Sequence, residues 1–203
     1  MEVNGALHLL VKIYTNTKLF IILFIIQYII YYIINMIKTI LSYIGLFSPI
    51  YLFLISILLL RNYKIYLSFY IFGTIINTIL NIILKIIIKE PRPDEDYKLI
   101  TIGTSNGHRF GADVYGMPSG HAQTVAFNLV FITGILKSPI ITIFYSIISI
   151  ITLGQRYIYK NHTILQLFIG FIIGTAIGIL FYKTANEKIK GELNEKQDDN
   201  GPL

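Results

Sequence analysis

The sequence predicts an all-α integral membrane protein, a six-transmembrane helical bundle. Of its 203 residues 54% are hydrophobic, and the mean hydropathy is +0.65, too apolar for a soluble domain of this size. The apolar residues also come in runs, and a run of about 20 crosses a bilayer as a helix. Six runs qualify: residues 19–37, 41–60, 66–88, 118–136, 140–154 and 163–182, the fifth being the shortest. One membrane domain over 19–182 follows. A short interfacial segment, 1–18, precedes it, and a polar, solvated tail, 183–203, comes after.

The first run is too long for the apolar part of a cleaved leader and lacks a small-residue cleavage site, so it is expected to remain as a span. The absence of cysteine excludes disulfides, thiolate metal sites and a cysteine nucleophile. The net charge of +6 is spread along loops rather than gathered on one soluble face, which argues against a nucleic-acid partner.

The first two runs, joined by a turn at Lys38, are rich in Ile, Leu and Tyr and read as scaffold. The third carries Gly73, Asn77, Asn81 and Lys85 at intervals of four, along one helix face. Amides inside a membrane normally face protein. Read as packing alone, this stripe ends in a lysine that snorkels to the interface. Lys89-Glu90-Pro91-Arg92-Pro93 follows, where two prolines stop the helix and hold Arg92 extended near Lys85. A guanidinium fork suits phosphate, although a Pro-flanked arginine is also an ordinary loop residue. Residues 94–117 form a polar loop whose length suggests a functional cover. Asp94, Glu95 and Asp96 read as a solvated acidic patch and His108 as a surface histidine.

Tyr115-Gly116-Met117-Pro118-Ser119-Gly120-His121-Ala122-Gln123 opens the fourth run. Pro118 suits a first helical position. Ser119 and Gly120 would present backbone N–H groups to an anion at a helix start, and His121 can carry a proton near neutral pH. A capped membrane helix with an interfacial histidine explains the same residues. The fifth run ends at Gln155-Arg156. The sixth opens at His162 and repeats Gln166, Gly170, Gly174 and Gly178 every four residues. The glycines allow close helix approach and turn His162 and Gln166 inward, with Gln166 one turn below the imidazole.

Together these signals place two histidines, two arginines, a lysine and a helix start on one membrane side, which fits phosphoryl transfer through a phosphohistidine. Lys85 with Arg92-Pro93, then Pro118-Ser119-Gly120-His121, then Arg156 with His162 resemble the three-part signature of the type 2 phosphatidic acid phosphatase (PAP2) superfamily in order and spacing. The resemblance covers the last four runs and implies a PAP2-like bundle. It implies that His162 attacks phosphorus, that His121 protonates the leaving oxygen, and that Lys85, Arg92, Arg156, Ser119 and Gly120 hold phosphoryl oxygens. It implies no metal and no other cofactor. Two positions depart from the pattern. Gln155 stands where the family has Ser, and Gln166 stands where it has the Asp that orients the nucleophile. A glutamine oxygen can fix the tautomer of His162 but cannot stabilise an imidazolium by charge.

The wording around Pro118–Gln123 and His162-Thr163-x-x-Gln166 is similar to the dolichyl-diphosphate phosphatase branch, which has Gln at that place. The expected activity is therefore hydrolysis of a polyprenyl (dolichyl-type) diphosphate to the monophosphate and phosphate. A broad lipid phosphate phosphatase, a non-catalytic lipid-binding protein and a lipid phosphotransferase remain as alternatives. With six spans and Lys85, Arg92 and Arg156 set aside, the termini side carries Lys12, Lys18, Arg61, Lys64, Lys137, Lys183, Lys188, Lys190 and Lys196. The loop side carries Lys38, Lys89, Lys98, Arg109 and Lys160. This bias predicts cytosolic termini and a lumenal or extracytoplasmic site.

Overall fold

A computed structural model describes residues 2–93 and 111–198, and side chains over 20–93 and 111–192. The acidic triplet Asp94, Glu95, Asp96 and His108 lie outside the described residues. The described elements are α1 (Glu2–Leu60), α2 (Lys64–Ile88), a one-turn 3-10 helix (Gly111–Val114), α3 (Gly120–Leu136), α4 (Pro139–Ile158) and α5 (Ile164–Asp198). Four stretches are long and apolar enough to cross a membrane: Phe20–Leu60, Lys64–Ile88, Pro139–Ile158 and Ile164–Glu192. Gly120–Leu136 is a shorter apolar helix.

Two boundaries differ from expectation. No turn forms at Lys38: the helix is continuous through it, so six separate spans are not seen. The physical reason is local, because the residues around Lys38 include neither Gly nor Pro, and one exposed lysine does not break a helix. Even Pro49 is absorbed, with the Ser48 hydroxyl donating to the Gly45 carbonyl (3.0 Å) that a proline nitrogen cannot serve. The assignment of both termini to one side rested on the turn at Lys38 and loses that support. At the other end, the polar stretch after 182 does not leave the helix but extends α5 to Asp198. Ala185 is buried, the Tyr66 hydroxyl donates to Asn186 Oδ1 (2.6 Å), and Lys188 pairs with Glu192 one turn on.

The chain forms two compact units, Met1–Ser42 and Tyr43–Leu203. The first is helical, and Phe20, Phe24, Tyr28 and Tyr31 exemplify apolar side chains exposed along it. The second holds the remaining helices and every candidate site residue.

Within the second unit α3 and α5 approach most closely. A Cβ on Gly170 would meet the Ser119 carbonyl, one on Gly174 the Gln123 carbonyl, and one on Gly178 the Phe127 carbonyl and Val130. The four-residue glycine period is thus a groove that receives the α3 backbone. Tyr70, Phe127 and Phe131 stack beside it, with Phe53 against Tyr70. A buried polar knot ties four helices. Ser56 and Tyr70 donate to Asn128 Oδ1 (3.1 and 2.6 Å), Ser56 also bonds Tyr145 (2.8 Å), and Asn128 Nδ2 donates to the Thr124 carbonyl. Satisfied networks of this kind specify one arrangement of the helices.

Gly174→Val is expected to destabilise the detergent-solubilised protein by about 3 kcal/mol or more, through overpacking against α3. Gly154→Ala, whose Cβ would face open space inside α4, is expected to leave stability unchanged or raise it by up to about 1 kcal/mol. Size-exclusion-monitored melting of both variants checks the pair.

Candidate active site

The site lies where the last turn of α2, the start of α3, the end of α4 and the start of α5 meet. The α2 stripe faces inward: Gly73, Asn77, Asn81 and Lys85 are all buried. Asn81 Nδ2 donates to the Pro118 carbonyl (3.2 Å) and to Gln123 Oε1 (2.8 Å). Gln123 Nε2 returns to the carbonyl and side-chain oxygens of Asn77 (2.8 and 3.0 Å). These amides lock α2 to α3 directly beneath the site. Lys85 does not snorkel. Its Nζ donates to the Tyr115 carbonyl (2.6 Å) and lies 3.7 Å from Asp113.

Lys89 ends α2 in the left-handed region (φ 52°), its N–H capping the Lys85 carbonyl. The chain then runs extended, with Gly116 N–H on the Glu90 carbonyl (2.8 Å) and an isolated antiparallel bridge between Pro91 and Tyr115. This tie aims Arg92 inward. Its Nε donates to the Asp113 carbonyl (3.0 Å), one terminal nitrogen to Asp113 Oδ1 (2.7 Å), and the other to the Asn161 carbonyl (2.9 Å). That last nitrogen also sits 3.0 Å from His162 Nε2.

Pro118 is not the first helical residue, as its motif suggested. Its peptide bond with Met117 is cis, and Ser119, with extended backbone, takes the N-cap. Ser119 Oγ accepts a long bond from Ala122 N–H (3.5 Å), and Ser119 N–H donates to the Gln166 carbonyl (3.1 Å). The side chain expected to hold an anion is therefore the cap of α3. The first N–H groups of that helix, Gly120 and His121, have no acceptor within it by geometry. His121 Nε2 lies 3.0 Å from the Leu46 carbonyl. A carbonyl only accepts, so Nε2 carries a proton and Nδ1 is the nitrogen left for exchange.

Arg156 is buried at the last turn of α4, where its side chain donates to Gln155 Oε1 (3.4 Å). Its carbonyl receives the N–H groups of Asn161 and His162 (3.0 and 3.2 Å), folding the turn back. Thr163 and Gln166 form a reciprocal cap. Gln166 N–H donates to Thr163 Oγ1 and Thr163 N–H to Gln166 Oε1, both at 3.2 Å. Gln166 Nε2 faces Glu90 Oε1 and the Pro91 carbonyl, each at 2.8 Å. A Cβ on Gly116 would strike this amide, so position 116 has room only for glycine.

The tautomer of His162 follows from its neighbours. Nδ1 meets the Gly116 carbonyl at 2.9 Å and Gln166 Oε1 at 3.3 Å. Both accept only, so Nδ1 holds the proton and Nε2 keeps its lone pair, which the Arg92 N–H meets. The main partner of the ring N–H is thus the Gly116 carbonyl, with Gln166 secondary. Burial holds the His162 pKa well below the ordinary value, and Arg92, Arg156, Lys85 and His121 push it further the same way. The imidazole is neutral at neutral pH.

Lys85, Arg92, His162, Gln166 and Ser119 thus join one contact network, and Arg156 and His121 act on His162 electrostatically. Three participants were not anticipated from the sequence: the Gly116 carbonyl, Glu90 and Asp113. For Glu90 the only sequence signal is its place within the Pro-Arg-Pro segment. Asp113 lies in a loop with no periodicity to read. The sequence model of the PAP2 superfamily matches residues 66–190, a range that includes every candidate residue. Searches of curated proteins and of solved structures return no match.

Because burial, and then the surrounding cations, oppose its charged form, His162 is expected to remain neutral through pH 6.5 and to protonate only below the usual histidine range of about 6.5. Arg92→Gln should move that titration upward. Titration of the histidine ring resonances by NMR in detergent checks both.

Proposed function

The chain belongs to the PAP2 superfamily, and from that premise we propose that it is a membrane lipid phosphatase hydrolysing a polyprenyl diphosphate through a phosphohistidine. One observation carries the reading. A neutral imidazole with its proton fixed on Nδ1 presents a lone pair at Nε2 among Lys85, Arg92 and Arg156, beside the α3 start. Phosphoryl transfer needs positioning and charge stabilisation above all.

In this reading the phosphoryl group replaces the Asp113 carboxylate between Lys85 and Arg92, drawing Arg92 off His162. The Nε2 lone pair forms a bond to phosphorus as the bond to the leaving lipid phosphate oxygen breaks. His121, which keeps its Nε2 proton on the Leu46 carbonyl, takes up a second proton from solvent at Nδ1 as the anionic substrate binds, and gives that proton to the leaving oxygen. Water then attacks the phosphohistidine and passes a proton to His121. Inorganic phosphate leaves, and Nε2 regains its lone pair. Gly120 and His121 N–H groups and the Ser119 hydroxyl supply further donors. The side chains of Lys85, Arg92 and Arg156 supply the positive charge, so the reaction is proposed to run without metal.

An apolar cavity of about 410 Å³ between α4 and α5 supports a lipid substrate. Leu153, Tyr157, Leu167 and Phe168 line it, and Arg156 and His162 are near neighbours of its lining in sequence. The site face is proposed to be extracytoplasmic or lumenal. With Lys85, Arg92 and Arg156 set aside as site residues, the opposite end of the second unit carries Arg61, Lys64, Lys137, Lys183, Lys188 and Lys190, against Lys89 and Lys160 near the site among the described residues.

Purified protein with EDTA is expected to release phosphate from a polyprenyl diphosphate at least tenfold faster than from phosphatidate. His162→Ala should lower turnover by about 10³-fold or more. Equal use of the two lipids would favour a broad lipid phosphate phosphatase, and no release from either would favour a non-catalytic role. Asp113→Asn is expected to tighten inhibition by inorganic phosphate several-fold, because the competing carboxylate charge is gone; unchanged inhibition would show that Asp113 does not occupy the phosphate position.

A further inference from the structure

The family pattern asks for a carboxylate at position 166, and this chain has an amide there. A carboxylate is nonetheless present one residue further out. Glu90 Oε1 accepts from Gln166 Nε2 at 2.8 Å, and Gln166 Oε1 stands 3.3 Å from His162 Nδ1. We propose that Glu90 is a positioning residue for His162, acting through the Gln166 amide in place of a directly bonded aspartate.

The chemistry of the amide makes the link directional. A glutamine side chain offers two hydrogens at one end and lone pairs at the other. Glu90 and the Pro91 carbonyl both accept, so the NH2 end must face them. The oxygen end is then forced toward the Thr163 N–H and the His162 ring N–H. A negative charge on Glu90 also polarises the amide, concentrating electron density on the oxygen that faces the ring. When Nε2 bonds to phosphorus the ring becomes cationic, and that density is where the positive charge needs it. Glu90 is partly buried, so solvent screens its field only in part.

The same geometry explains why the two positions go together. A carboxylate in place of this amide would bring no donor to Glu90 and Pro91 O and would set like charge toward Glu90, whereas the amide satisfies both. Gly116 completes the device, since its N–H holds the Glu90 carbonyl and its own carbonyl takes the ring N–H.

The inference rests on His162 as the nucleophile, so its test includes a readout that needs no turnover. In Glu90→Gln, which preserves size and loses charge, the Nδ1 proton resonance of His162 is expected to move upfield. The kcat should fall about 10- to 100-fold, the range found for groups that orient a reacting ligand, with KM within about twofold. Melting temperature, measured alongside, separates this from loss of fold; if Glu90→Gln does not fold, Glu90→Asp takes its place and should shift the same resonance by less. In a Gln166→Glu background, which keeps the side-chain length, Glu90→Gln is expected to raise the rate by relieving the carboxylate pair. An unmoved Nδ1 resonance in folded Glu90→Gln overturns the proposal. So does an equal loss of kcat in both backgrounds, which would mean that Glu90 only holds the 90–93 segment. If the parent itself shows no turnover, the phosphatase reading fails while the resonance still decides the link from Glu90 to His162.

Discussion

The close approach of α3 and α5 is the constraint from which the site is built. Gly170 and Gly174 leave no side chain between α5 and the backbone of α3 at Ser119 and Gln123, and at that separation Ser119 N–H reaches the Gln166 carbonyl. Two helix starts are thereby fixed against each other by main-chain atoms, which have no rotamers to lose. His162, just before α5, and the first N–H groups of α3 inherit their relative position from this contact. Small residues suit the task in a membrane, where packing rather than solvent exclusion drives helix association.

Burying Lys85, Arg92 and Arg156 around one imidazole is costly unless their charge is offset. The structure offsets it largely with backbone carbonyls. Among the described residues, Tyr115, Asp113 and Asn161 offer theirs to Lys85 and Arg92, and the more exposed Asp113 adds its carboxylate. Carbonyls orient a cation without neutralising it, and the cluster acts on the ring beside it. Its depressing effect on His162 is that same field. In the proposed function the same arrangement selects a neutral nucleophile and an anionic ligand together.

Regular spacing made much of this legible beforehand. Asn77, Asn81 and Lys85 recur every four residues and do share the buried face of α2. The α5 glycines recur likewise and do receive α3. What the spacing could not reveal was identity of partners. The Lys38 turn was inferred from a charge, but charge alone does not end a helix when no Gly or Pro is at hand. Pro118 looked like a first helical residue, yet Ser119 takes the cap because its extended backbone lets its oxygen face the helix N–H groups. Gln166 was correctly placed one turn from His162, but the sequence did not reveal that the Gly116 carbonyl would stand closer to the ring. Glu90 and Asp113 are read only once the chain has folded back, since their partners lie 76 and 21 residues away.

The amide at 166 then has a physical rationale beyond substitution. Its carbonyl end serves the Thr163 N–H as well as the ring, and its NH2 end serves two acceptors. A carboxylate could satisfy only the first pair and would leave the Pro91 carbonyl facing like charge density. A glutamine satisfies all four, caps α5, and ties the Pro-Arg-Pro segment to the helix that carries the histidine. The position of the segment that carries Arg92 and the second contact of the His162 ring N–H therefore depend on the same side chain. A change at 166 acts on both the Arg92 segment and the ring, and its consequences cannot be apportioned to either alone.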